Sequence, residues 1–158
     1  MSKQPTAVRA LTLGFLTGGR SATPLAALAL HHDDPALKGS WQQWPMFSTP
    51  AGRGLLVAAA IGELVGDKLP MTPSRLAPLG LLGRIGTGAL AGLAIGTTGG
   101  KNRGLESAVL GGLGALAGSI GLALARKAAG SVTGLPDPVV AVAEDAVVIS
   151  GAARALRS

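Results

Sequence analysis

The chain has no cysteine and no tyrosine, and its only Trp and Phe side chains are two tryptophans and two phenylalanines. Without cysteine there is no disulfide framework, no thiolate nucleophile and no cysteine-ligated metal. At 3% aromatics, a soluble domain of 158 residues would lack the bulky side chains that fill a core. Charge is scarce as well: Asp, Glu, Lys and Arg make up 14% of the residues, against roughly 25% in globular domains. The two histidines, His31 and His32, are adjacent, so no second region can supply an imidazole base for a nucleophile. Neither a Gly-x-Ser-x-Gly elbow nor a glycine-rich loop ending in Gly-Lys-Ser/Thr occurs. These absences argue against an enzyme and against a cofactor. Acid–base chemistry at Glu144 and Asp145 is the one enzymatic alternative.

What is abundant is glycine, 25 residues, beside an apolar content of 47%. The apolar residues gather into five segments, at about 11–30, 54–69, 76–100, 105–125 and 139–156. None alternates in the manner of a strand. A helix of about 20 residues is about 30 Å long, the thickness of a bilayer's hydrocarbon core. The expected fold is all-α: one membrane-embedded domain over 1–158, a bundle of four to five transmembrane helices. A signal peptide is the rival reading of the first segment, because Ala27-Leu28-Ala29 resembles a cleavage site. Arg20 falls where such a peptide's apolar stretch runs unbroken, which disfavours it.

Small residues recur at helical spacing within these segments. Gly14, Gly18 and Ala22 form one stripe, and Gly54, Ala58, Gly62 and Gly66 another. Gly88, Gly92, Gly96 and Gly100 form a glycine zipper, faced by Gly111, Gly114, Gly118 and Gly121 one segment later. Such stripes let helix backbones approach closely in lipid. The third and fourth segments are expected to pack as an antiparallel hairpin, and self-association, most simply as a dimer, is expected for the bundle. The string Gly-Ala-Leu-Ala-Gly occurs in both, at 88–92 and 114–118.

The formal net charge is +6, but the positive residues are dispersed. They fall in pairs between the apolar segments, from Lys3 and Arg9 to Arg154 and Arg157. Basic residues in that position anchor spans at the membrane surface, so nucleic acid is not the expected partner. Alternate gaps carry equal positive charge, which leaves the positive-inside rule without a bias to read.

Between the first two segments lies a polar loop. His31-His32-Asp33-Asp34 has metal-capable side chains, yet adjacent residues on one strand cannot all converge on one ion. They read as a loop start and not as a metal site. Trp41 and Trp44 fit either an interfacial segment at headgroup level or a loop packed on helix ends.

The most telling charges are those inside or at the edges of the apolar segments: Arg20, Glu63, Asp67, Arg84, Asp137, Glu144 and Asp145. A charged side chain at a helix centre in a bilayer costs about 2.5–3.5 kcal/mol. Such groups face a bundle interior, pair with one another or line a polar path. Glu63 and Asp67, four apart, share a helix face. Arg20 and Pro24 interrupt the first segment.

With these residues in view, the chain resembles a family of small bacterial membrane proteins catalogued as domain of unknown function 4126. The resemblance rests on Gly62-Glu63-Leu64-Val65-Gly66-Asp67-Lys68-Leu69-Pro70 with Pro73-Ser74-Arg75, and on Gly83-Arg84. Arg20-Ser21-Ala22-Thr23, Pro136-Asp137 and Glu144-Asp145-Ala146 extend it along nearly the whole chain. It implies a multi-pass protein of the bacterial inner membrane with a charged motif set, and no activity. The expected function is translocation of a small solute or ion along the embedded charges. The alternative is a structural or accessory subunit of a membrane complex.

Overall fold

Leucine and alanine favour helix, and prolines and paired glycines punctuate it. The computed structural model describes residues 4–66, 77–100 and 102–157. Its helices are α1 (Thr6–Gly19), α2 (Thr23–Leu30), α3 (Pro45–Ser48), α4 (Pro50–Gly66), α5 (Pro78–Gly96), α6 (Gly104–Thr133) and α7 (Asp137–Leu156). Two short 3-10 turns lie between α2 and α3. Among the described residues there is no strand, only an isolated bridge from Gly39 to Thr98.

The first apolar segment, expected over 11–30 with an interruption at Arg20 and Pro24, forms two helices. It begins earlier, at Thr6, and is broken at Arg20, whose backbone is extended (φ −141°, ψ 106°). Pro24 does not kink a continuous helix; it sits in the first turn of α2. Proline has no N–H to return to the Arg20 carbonyl, so the first turn of a new helix is where it fits best. At the other extreme α6 runs past the expected end at 125 to Thr133, where Gly134 closes it in the left-handed region (φ 65°). Two helices, α5 and α6, are long and apolar enough to cross a membrane. Among the described residues the other helices do not meet that measure: α1 and α2 are halves of a broken helix, and α7 carries Asp137, Glu144, Asp145 and Arg154.

The centre of the bundle is a three-helix contact of α1, α5 and α6. Gly88 and Gly92 of α5 lie against Gly111 and Ser107 of α6, and Gly96 against Arg103 just before it, an antiparallel pairing. Gly114 and Gly118 face α1 instead, against the backbone of Leu11, Gly14 and Phe15. Gly111 meets both neighbours, Gly14 on one side and Gly88 with Gly92 on the other. A methyl group at any of these glycines would overlap backbone or a fixed side chain, so the helix spacing depends on their lacking one. Gly100 does not belong to this contact. It follows the end of α5 in a left-handed turn (φ 71°) and faces open space.

Helix α7 runs antiparallel to α1, placing Gly151 against Leu16 and Val148 beside Gly19. Its last turn is held by Arg9, whose guanidinium donates to the Ala155 carbonyl (2.9 Å) and the Leu156 carbonyl (3.3 Å). A cation at carbonyls that end a helix satisfies both their hydrogen bonding and the helix dipole. Helix α4 is the least enclosed. It contacts α2 and α3, and only Ala60 among its residues is buried.

The polar loop caps one end of α5. Trp41 is fully buried, its indole N–H donates to the Leu37 carbonyl (2.8 Å), and Phe47 meets it edge to face at 4.9 Å. Of the two readings of the tryptophans, Trp41 takes the packed-loop one; an interfacial indole would stand at the surface.

Candidate functional site

Each embedded charge is set by the helix that carries it. Arg20 sits in the α1–α2 break and is fully buried. Its Nε donates to Asp145 Oδ1 on α7 (2.6 Å), and its Nη2 contacts the same oxygen. The two residues lie 125 positions apart in sequence. Adjacent residues on a helix point about 100° apart, so Glu144 turns away from Asp145. It lies beside Gly19 and faces α6, where Arg126 Nη1 is 3.6 Å from Glu144 Oε2.

The break leaves the first N–H groups of α2 without helical acceptors, a position that normally calls for a capping side chain. Ala22 occupies the cap position and has none to offer. Glu63 supplies the acceptors from α4. Its Oε1 accepts from both the Ser21 N–H and the Ser21 hydroxyl (2.8 Å each), and its Oε2 accepts from the Ala22 N–H (2.8 Å). Arg84 on α5 brings Nη2 to 4.0 Å from Glu63 Oε1. A carboxylate at a helix N-terminus is favoured by the dipole, and here the helix start and the carboxylate come from different elements.

Asp137 has a separate place. It opens α7 at the surface and takes a two-pronged bond from Arg126, Nε to Oδ1 at 2.8 Å and Nη2 to Oδ2 at 2.6 Å. The side chain of Asp137 is 71% exposed. Exposed pairs of this kind contribute at most about 1 kcal/mol. Asp137→Ala is therefore expected to lower thermal stability only slightly, and raised salt is expected to erase most of the difference.

The predicted residues thus form two groups. Arg20, Glu63, Arg84 and Asp145 converge on the α1–α2 break. Glu144 and Asp137 meet on Arg126, which lines an open groove of about 240 Å³ between α6 and α7 with Leu122, Val140, Glu144 and Val147. Asp67 lies outside the described residues. Sequence reasoning missed Ser21, because a serine offers no charge to notice. It missed Arg126 as well, because it treated that residue as a span boundary. A helix continued through 133 would have placed Arg126 inside it.

The histidine-rich start of the loop has local partners. His31 Nδ1 pairs with the Ala27 carbonyl, His32 with Asp33, and Asp34 caps a 3-10 turn at Ala36. The Asp33 carboxyl is held below the usual carboxylate range by its hydrogen bond from His32 and by the imidazole's charge.

A family model described as Domain of unknown function (DUF4126) matches residues 7–157. No curated protein and no solved structure matches the chain. The matched stretch contains the break, the capping glutamate and the arginine–aspartate pair together, and the chain belongs to the DUF4126 family.

Proposed function

We propose that the chain is a multi-pass protein of the bacterial inner membrane that translocates a small ion or small solute through the embedded charges. The observation that carries this reading is the broken first helix. Its two halves together would reach about 33 Å at 1.5 Å per residue, a membrane-crossing length, with the break between them. At the break stand a buried arginine and a helix N-terminus engaged by a carboxylate from another element. Interrupted helices with ionisable partners at the interruption are how many transporters build a binding site away from bulk water. Leucine and valine side chains exposed on α4, α5, α6 and α7, such as Leu55, Leu79, Leu105 and Val147, support a lipid-facing exterior.

The structural or accessory role is the second reading, favoured by the closure of the Arg20–Asp145 pair, in which Arg20 has no exposed surface. Such a pair can lock a bundle without moving anything through it. Reconstitution separates the two. Liposomes containing the purified protein are expected to equilibrate monovalent ions or small carboxylates faster than protein-free liposomes. Arg84→Ala is expected to change that rate about tenfold while helix content holds. Rates equal to protein-free liposomes across the panel discard translocation and leave the accessory role. Recovery of folded protein in the soluble fraction without detergent discards both.

A further inference from the structure

We propose that α1 and α2 form a re-entrant hairpin, and that the end of the bundle where it enters and leaves is the cytoplasmic face, held on the anionic lipid headgroups of that leaflet. This rests on the membrane reading above and is independent of translocation. Laid end to end the two helices would cross a bilayer, but their contacts fold α2 back alongside α1. Helix α1 runs parallel to α6, with Gly14 on Gly111 and Gly18 on Gly118. Its start therefore lies at the end where α5 finishes and α6 begins, with Gly96 against Arg103. The chain is back at that end directly after α2. The Gly99 N–H donates to the Lys38 carbonyl (2.8 Å), Gly39 bridges Thr98, and Asp34 is near enough to Arg9 for their charges to interact. The lengths agree. From Arg9 to Gly19 the first helix descends about 15 Å, and the eight residues of α2 recover about 12 Å.

A hairpin that stops inside a bilayer exposes its tip to a medium without water, so protein must satisfy the polar backbone there. The tip of this one is satisfied. The Arg20 N–H returns to the Leu16 carbonyl (3.1 Å), and Glu63 accepts from the Ser21 and Ala22 N–H groups (2.8 Å each). The Arg20 side chain is buried on Asp145. Beyond the hairpin, α4 to α7 alternate in direction. Arg53 near the start of α4 donates to the Phe47 carbonyl of the loop, while Glu63 near its end reaches the tip. Helix α7 leaves Asp145 at the tip and finishes at Arg9. The starts of α1, α4 and α6 and the ends of α2, α5 and α7 thus share one face.

That face gathers charge that a count by alternate gaps divides equally. Among the described residues it holds Arg9, Lys38, Arg53, Arg103, Arg154 and Arg157, against Arg126 and Lys127 towards the opposite face. By their place in the chain, Lys3 and Lys101 adjoin the first face, and Lys68 and Arg75 the second. Arg20 and Arg84 belong to the tip between them, so of the 14 Lys and Arg residues eight stand at one face and four at the other. Basic residues beside spans stay on the cytoplasmic side, where the membrane surface is anionic. Because one helix pair doubles back, the chain regains a bias that five simple crossings would cancel.

The absence of cysteine makes single-cysteine variants direct reporters of sidedness. Gln4→Cys, Gln43→Cys and Ser131→Cys, at three exposed positions, are made in the full chain and expressed in bacteria. Spheroplasts are treated with a membrane-impermeant maleimide before and after lysis. Gln4→Cys and Gln43→Cys are expected to react only after lysis, and Ser131→Cys before it as well. Gln4 and Gln43 on opposite sides of the membrane overturn the hairpin. Both reacting before lysis, with Ser131→Cys protected, overturns the orientation. Changing Lys38, Arg103, Arg154 and Arg157 to glutamine leaves four Lys or Arg at each face. In that background Ser131→Cys is expected to lose about half of its reaction in intact spheroplasts, as the chain inserts both ways. An undiminished reaction overturns the role of the headgroups. Recovery of the protein in the soluble fraction discards the membrane reading itself. Wrongly sided labels on membrane-integrated protein discard only this proposal and leave that reading standing.

Discussion

Arg20→Leu is expected to destabilise the bundle by about 3–5 kcal/mol, because it strands the Asp145 carboxylate away from water. Asp145→Leu is expected to cost a similar amount by stranding the guanidinium. The informative protein is the double variant. Removing both charges leaves two apolar side chains in a buried site, and replacement of buried ion pairs by apolar residues is often close to neutral. Arg20→Leu with Asp145→Leu should therefore unfold nearer to the parent than either single variant, by thermal or SDS denaturation in detergent. Additive losses in the double variant would mean that each group spends its energy on other neighbours.

The second large effect concerns glycine, where the bundle divides into two populations. At Gly118 an added methyl would overlap the Phe15 backbone, which belongs to another helix and has no rotamer to give. Gly118→Ala is expected to cost about 2–3 kcal/mol, at the upper end of overpacking penalties. At Gly62, on α4, nothing lies within 4 Å of the same added atom. There alanine relieves only the conformational entropy of glycine, and Gly62→Ala is expected to gain about 0.5–1 kcal/mol. The same substitution thus changes sign between two helices of one chain. Equal melting shifts for the two variants would contradict the packing of α1 against α6.

These glycines also mark how far the sequence could be read. Gly88, Gly92 and Gly96 announce a close contact, and the short connection to α6 suggests its partner. The Gly14 and Gly18 stripe is just as legible as a smooth face, but nothing local says that α6 covers it, because that contact joins residues about 100 apart. The same limit governs the charges. Burial cost marks Arg20 and Asp145 as groups in need of partners, and only the fold pairs them. Helix ends are least legible where a charge lies inside a helix, as Arg126 does in α6, or where a glycine run continues past a helix end, as Gly100 does after α5. The α1–α2 break was half legible. Arg20 and Pro24 signal an interruption, while the glutamate that caps the new helix comes from a segment 41 residues away.

The long sequence separation of Arg20 and Asp145 also sets a timetable for synthesis. Chains grow at about 5–20 residues per second, so Asp145 emerges about 6–25 seconds after Arg20. In that interval the first two helices are finished and their arginine has no carboxylate from α7. On the membrane reading, the early segment cannot simply partition into lipid and wait. It has to be sheltered, by the insertion machinery or by the headgroup region, until the last helix arrives. The arginine that closes the finished bundle is the residue that keeps its first helix from settling early.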